Sequence, residues 1–219
     1  MLNFFQLPRS RLVAFLSSWR TRPPTRQKGY LFSHKHFTHT TFPIIETERL
    51  RLRNVTSEDA KDMFTYLSDQ EVVQHMGLEP YKSVEDVLEE IDWYKSIWEK
   101  GTGIRWCITL KNEDTVIGSC GFLNRQPKHY KSEIGYELSR KYWGQGIAGE
   151  ALEAVLAYGF QHLNLERIEA LIEPLNISSQ KLVEKHGFLR EGLLRHYEYT
   201  CGKFDDLYMY SILKGDFKD

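Results

Sequence analysis

The stretch that most constrains this chain is Ser139-Arg140-Lys141-Tyr142-Trp143-Gly144-Gln145-Gly146-Ile147-Ala148-Gly149-Glu150, a glycine-rich turn between two patterned runs. Residues 134–138 alternate with the period of a strand. Beyond the turn, Ile147, Ala151, Leu152, Val155, Leu156, Phe160 and Leu163 recur at three- and four-residue steps, so residues 147–163 read as an amphipathic helix packed on a sheet. A turn that opens a helix presents backbone N–H groups at the positive end of the helix dipole and favours an anion. Gly144 and Gly146 put no Cβ in the way of a phosphate and accept positive φ. The expected ligand therefore carries phosphates.

Three motifs compete for that loop. A nucleotide-binding Walker loop needs Lys followed by Ser or Thr after its last glycine, and Gly149-Glu150 does not supply it. Residues 144–149 do spell the G-x-G-x-x-G of dinucleotide folds, with Glu173 ending the next strand at about the distance of a ribose contact. Only 46 residues follow Glu173, too few for the further parallel strands of such a fold. The third reading is the most specific. Tyr142-Trp143-Gly144-Gln145-Gly146-Ile147-Ala148 resembles the pyrophosphate loop of the GNAT acyl-CoA N-acyltransferases. Glu166-Arg167-Ile168-Glu169-Ala170, Asn176-Ile177-Ser178-Ser179, Lys185-His186-Gly187-Phe188 and Glu191-Gly192 then follow in the order typical of the RimJ/RimL-like, ribosomal-protein N-acetyltransferase branch. The resemblance runs from about Glu46 to Phe217. Two positions depart from it. Trp143 stands where the wider family has Arg or Gln, although Trp is usual in this branch, and Gly149 replaces a frequent Ser or Thr.

The resemblance implies an α/β (α+β type) GNAT fold. That fold is a mixed, mostly antiparallel sheet of about seven strands flanked by about four helices, splayed between its fourth and fifth strands. It implies acetyl-CoA as co-substrate, held by Leu138, Trp143, Gly144, Gln145, Gly146, Ile147, Ala148, Gly149, Glu150, Asn176 and Ser179. Backbone N–H groups near Leu138 would bind the thioester oxygen in an oxyanion-hole role. Ser179 is the first choice of proton donor to the departing thiolate, against a helix serine bonded to its own backbone. Glu191 and Glu133 are the candidate bases, acting directly or through water, against ordinary ion-pair acids. Tyr136 reads as core. Asp205 and Asp206 are open as ammonium holders. His75 and Tyr81, in the acceptor-side loop at 72–82, are open as substrate contacts or packing. The reaction expected is direct transfer of acetyl from acetyl-CoA to a primary amine, first a protein N-terminus of the ribosomal-protein kind. Small amines (polyamines, aminoglycosides) and a catalytically weak CoA-binding regulatory module are the alternatives.

Composition bounds the rest. The 219 residues allow one domain with an appendage, and 41% hydrophobic with 27% charged residues is ordinary for a globular protein. No apolar run approaches 18 residues, so no membrane span is expected. Cys107, Cys120 and Cys201 are odd in number and scattered, which suits a reducing, cytoplasmic setting and no metal. Residues 1–45 hold seven basic residues and no acid; of 29 basic and 30 acidic residues in all, 22 and 30 remain, a net −8 for the body. That suits a cationic acceptor, and a plain solvated acidic surface is the equal alternative. Residues 1–43, basic and bearing Pro23-Pro24, are read as a dispensable, mostly disordered extension before a domain at 44–219; a transit peptide, a nucleic-acid arm and a misplaced start are the alternatives. Leu12 to Trp19 could form a short helix there. His34, His36 and His39 cluster without metal-ligand spacing. Nucleic-acid binding by the domain is not expected, and a monomer or homodimer is.

Along the domain, strands are expected at 50–53, 105–110, 115–123, 131–138, 167–172, 188–199 and 204–213. Helices are expected after Thr56 or Ser57, from Ser83 to the Gly101–Gly103 stop, over 147–163, and from Asn176 or Ser178 to about His186.

Overall fold

The computed structural model describes residues 41–218. The expectations for the short helix at 12–19, the histidines at 34–39 and most of the basic extension lie outside the described residues. Eight strands form one sheet: β1 (Ile45–Glu46), β2 (Leu50–Arg53), β3 (Ile104–Leu110), β4 (Val116–Gln126), β5 (Lys131–Leu138), β6 (Arg167–Ile172), β7 (Leu189–Thr200) and β8 (Lys203–Leu213), in the order β1-β2-β3-β4-β5-β6-β8-β7. Every neighbouring pair is antiparallel except β5 with β6. Five helices accompany it: α1 (Ala60–Leu67), α2 (Gln70–Val73), α3 (Val84–Glu99), α4 (Ile147–His162) and α5 (Ile177–Lys185). The elements absent from the sequence reading are β1 and α2. With two and four residues, neither is long enough to show a periodic pattern. The side chain of Asp69 accepts from Glu71 N at 3.0 Å and starts α2, where the sequence reads as loop from 72.

Helices cover both faces. On β3, Cys107 packs with Met63, Tyr66 and Leu67 of α1 and Val87 and Ile91 of α3. Trp106, on the opposite face, meets Tyr158 of α4 with ring centroids 5.1 Å apart. A strand covered on both sides loses its polar alternation, and six of the seven β3 residues are buried. The α4 helix buries Ile147, Ala151, Leu152, Val155, Leu156 and Phe160, the stripe expected from the sequence. Upstream of β1, Phe42 sits edge-on to Trp98 and Trp106, and Trp106 Nε1 donates to Pro43 O at 2.8 Å. No helix among the described residues is long and apolar enough to cross a membrane.

The parallel pair defines the architecture. Pairing of β5 with β6 covers Lys131↔Arg167, Ser132↔Ile168 and Glu133↔Glu169 and stops there, although β5 continues to Leu138 and β6 to Ile172. Past that point β4 alone holds β5 and β8 alone holds β6. The splay implied by the resemblance is present.

At the paired end, Arg167 Nη1 and Nη2 donate to Glu191 Oε1 and Oε2 at 2.7 and 2.6 Å, and Ser211 Oγ donates to Oε1 at 2.7 Å. Hydrogen bonds from Arg167 first, then Ser211, hold the Glu191 carboxyl down at about 2. A depressed carboxylate contributes stability above its unfolded pKa, and that contribution is lost as pH falls through the folded value. The Glu191 side chain is 44% exposed, so solvent screening limits the pair to about 1 kcal/mol. Glu191→Gln is predicted to lower the unfolding free energy by about that amount at pH 7 in urea titrations. The difference from wild type should shrink below about pH 4 and vanish near pH 2. A pH-independent difference would remove the ion pair as its cause.

Candidate active site

The gap between the parted strands opens into a cavity of about 430 Å³. One wall is the end of β5 (Tyr136, Glu137, Leu138) and the turn at Tyr142–Gly149. A second is α2 with the residues after it, including His75 and Met76. The third is the start of α5, with Asn176, Ser178 and Ser179. Ser139 N donates to Ile117 O on β4 at 2.8 Å. Because donors alternate along an antiparallel strand, the N–H groups of Leu138 and Tyr136 point the other way, toward the gap where β6 has left. Trp143 Nε1 donates to Leu138 O at 2.8 Å, holding the indole over the strand end.

The glycine turn is built for an anion. Gly144 and Gly146 have φ of +73° and +77°, and Gly146 is the N-cap of α4. A Cβ on Gly144 would meet nothing within 4 Å, so the approach to the backbone is open. Gly149 is explained by packing: a Cβ there would lie 3.1 Å from the His186 ring, which follows α5. The hydroxyl position of the wider family is traded for close approach of α4 and α5. Glu150 does not face the cavity. Its carboxylate accepts from Thr47 Oγ1 (2.5 Å), Arg49 N (2.8 Å) and Arg49 Nε (2.6 Å), and Arg49 Nη1 donates to Gln145 O at 2.9 Å. Arg49, 45% exposed, thus lays a cation along the turn. The sequence reading missed it. Its only local signal is one more basic residue beside β2, and its link to the turn spans 96 positions.

The remaining candidates divide by position. Ser179 lines the cavity, and its side chain interacts with the Tyr136 hydroxyl, which lines it as well. Asn176 also lines it, with Oδ1 taken by the cap bonds from Ser179 N (3.1 Å) and Ser178 Oγ (3.0 Å), which leaves its amide N–H groups for a ligand. Tyr136, expected in the core, lines the cavity, with its hydroxyl 3.5 Å from Ser179 O; an alternating strand does not reveal that its partner strand departs. Burial pushes this phenol well above its ordinary value, so it stays protonated. His75 lines the cavity, its Nδ1 2.8 Å from Glu173 Oε2. That bond occupies the carboxylate that a dinucleotide reading would assign to a ribose. Tyr81 lies outside, its hydroxyl donating to Glu90 at 2.9 Å and its ring packed on the core.

Neither candidate base is among the lining residues. Glu191 is engaged by Arg167 and Ser211, and Glu133, at the last paired position of β5 and β6, accepts from Asn124 Nδ2 at 2.9 Å. A carboxyl held near 2 is also a weak base. Asp205 accepts from Thr200 Oγ1 and Lys203 at 2.7 Å each, and Asp206 accepts from His196 N at 2.7 Å. Both serve the β7–β8 hairpin. Among the described residues no cluster of three or more His, Cys, Asp or Glu could hold a metal ion.

Known proteins agree with this geometry. Residues 49–189 match the acetyltransferase (GNAT) domain family. The chain is 42% identical over 171 residues to the uncharacterized N-acetyltransferase p20 of Bacillus licheniformis, covering 78% of this chain and 96% of that protein. It is 26% identical over 168 residues to the ribosomal-protein-serine acetyltransferase of Escherichia coli, covering 75% and 93%. Its fold matches that of spermidine N-acetyltransferase from Vibrio cholerae, solved with CoA and spermine, with a TM-score of 0.67 at 24% identity over 78% of this chain and 98% of the other. With the splayed sheet and the glycine turn at its mouth, these matches place the chain in the GNAT family of acetyl-CoA-dependent N-acetyltransferases.

Proposed function

We propose that the acceptor is the N-terminal amine of a protein, acetylated directly in a ternary complex with acetyl-CoA. The observation that carries this reading is the charge of the cavity wall. Its only carboxylates are Glu71 and Glu137, and Glu137 is bonded to Arg105 and Ser119. One unneutralised acid suits a single ammonium next to the reacting nitrogen; a polyamine carries several, each needing a partner when desolvated. The Escherichia coli relative, named for a ribosomal protein, supports the same class. Bound CoA and spermine in the Vibrio cholerae structure support the cofactor and keep small amines as the competing acceptor.

The state of the thiols supports direct transfer. Burial pushes Cys120 up to about 12 and Cys107 higher, and Cys201 is outside the cavity lining, so no thiolate stands ready to carry the acetyl group. In the reading proposed, the turn's N–H groups and Arg49 hold the pyrophosphate, and the N–H groups of Leu138 and Tyr136 hold the thioester oxygen. The Ser179 hydroxyl protonates the sulfur as the C–S bond breaks. Holding amine and thioester in one cavity supplies much of the rate.

Thiol release measured over a panel of protein N-terminal peptides, polyamines and aminoglycosides should be fastest with a peptide. Preference for a polyamine would overturn the acceptor, and release with none of them would favour a CoA-binding module. Acetyl-CoA should raise the melting temperature by mass action where NAD does not. Gly146→Val, a β-branched residue forced to φ near +77° with its Cβ 3.5 Å from Arg49 Nη2, should weaken CoA binding by at least about tenfold in titration calorimetry. Normal binding would show that the turn does not hold the phosphates. Ser179→Ala should leave CoA affinity unchanged and lower kcat by about 10²-fold, the low end for general acids, because a thiolate leaves tolerably unprotonated. An unchanged kcat would pass the donor role to Tyr136 or water.

A further inference from the structure

An amine arrives as an ammonium and must lose a proton before it can attack. The carboxylates suggested by sequence for that task, Glu133 and Glu191, lie outside the cavity, and the wall itself offers a different group. We propose that His75 is the general base for the acceptor amine and that Glu173 is its positioning carboxylate. This rests on the amine-acceptor reading but on neither choice of amine.

The geometry is that of a histidine held from behind. His75 follows α2 on the acceptor wall, and Glu173 follows the end of β6, 98 positions away. The carboxylate takes Nδ1 at 2.8 Å, which fixes the neutral ring with its proton on Nδ1 and the lone pair on Nε2. Glu173 is not among the lining residues and His75 is, so in the arrangement proposed Nδ1 is held on the wall side and Nε2 is the ring nitrogen left for the cavity. Both partners are anchored independently. Gln180 Nε2 donates to Pro174 O at 2.9 Å, fixing the turn after Glu173. Gly77 lies against Thr200, so the segment after His75 leans on the β7–β8 hairpin. The side chains are 25% and 13% exposed, dry enough to strengthen the pair and open enough to exchange a proton with water.

The step balances. The ammonium passes one proton to Nε2, forming an imidazolium stabilised by Glu173. The freed nitrogen attacks the thioester carbon, the C–N bond forms and the C–S bond breaks. The second N–H proton ends on sulfur, through the Ser179 hydroxyl, and His75 returns its proton to solvent. Other titratable groups around the pair are Glu71, Tyr136, Tyr142 and Glu137 on the cavity wall, the last bonded to Arg105 and Ser119. Cys201 and Lys203 of the β7–β8 turn lie within electrostatic reach of Glu173, and Glu79 and Asp205 within reach of Cys201. None of them contacts Nδ1.

The test uses the full chain with acetyl-CoA and the best amine of the panel. His75→Gln should lower kcat/KM about 10²–10³-fold near neutral pH, leave the Kd for CoA within about twofold, and abolish the acid limb of the kcat/KM–pH profile. The residual rate should climb with pH as free amine accumulates. Glu173→Gln should cost about tenfold in kcat/KM and weaken the preference of the neutral ring for a proton on Nδ1, read by nitrogen NMR. A merely structural role of His75 would lower rates without moving the acid limb. Independently of any acceptor, nitrogen NMR of the histidine-labelled chain should show His75 protonated on Nδ1 when neutral; a proton on Nε2 would overturn the dyad. Wild-type turnover that survives in His75→Gln with its pH profile intact would overturn the base alone. Absence of amine-dependent release from wild type would overturn the amine-acceptor reading together with it.

Discussion

The parting of β5 from β6 after Glu133 and Glu169 is the constraint from which the site follows. A parallel pair that stays closed would satisfy every backbone group within the sheet and leave no room between strands. Once the pair opens, the N–H groups of Tyr136 and Leu138 need a partner, and an unmet buried donor costs about 1–3 kcal/mol. A ligand oxygen meets that need in a direction fixed by the strand. In the reading proposed, this incomplete ladder supplies the oxyanion donors. The turn after β5 and the cap of α4 then lie where the same ligand's phosphates would be held.

Opening the sheet leaves the far half of β5 supported on one side only, and the interior compensates. Arg105 on β3 donates to Ser119 on β4 and to Glu137 on β5, and Tyr94 of α3 donates to Glu137 at 3.1 Å. All four side chains are buried. Removing one partner of such a network strands a charge and costs about 3–5 kcal/mol, although an apolar replacement of the whole set can be neutral. Glu137 also reaches the cavity wall. The network therefore pins the unpaired half of β5 to its remaining neighbours, at the place where the reacting atoms need a rigid backbone.

The sequence exposes what is periodic and local. The stripe of α4, the stop of α3 at Gly101, the cap at Asn176 and the glycine turn are each written within about a dozen residues, and the resemblance orders them into one fold. What it hides is long-range. Tyr136 looks like core because alternation cannot tell that β6 has left. Glu150 looks like part of the anion turn, yet its partners Thr47 and Arg49 are about a hundred positions away. Glu191 sits in a recognisable signature, but its engagement by Arg167 needs β6 and β7 brought to the two sides of β8. His75 is open from sequence as a substrate contact or packing, and only the fold brings Glu173 to its ring.

The two halves of the site are joined weakly, and the magnitudes say which contacts position the chemistry. Arg140, just before the glycine turn, meets Asp69 at the start of α2 at 3.1 Å, linking the phosphate side to the acceptor side. Arg140 is 60% exposed, so this bridge is worth at most about 1 kcal/mol and is screened by salt. It cannot by itself set the position of His75. The pair with Glu173 can, since it is largely enclosed and joins His75 directly to β6. In the reading proposed, the sheet fixes the reacting geometry: β5 carries the oxyanion donors, and Glu173, just past β6, is the carboxylate behind the proposed base.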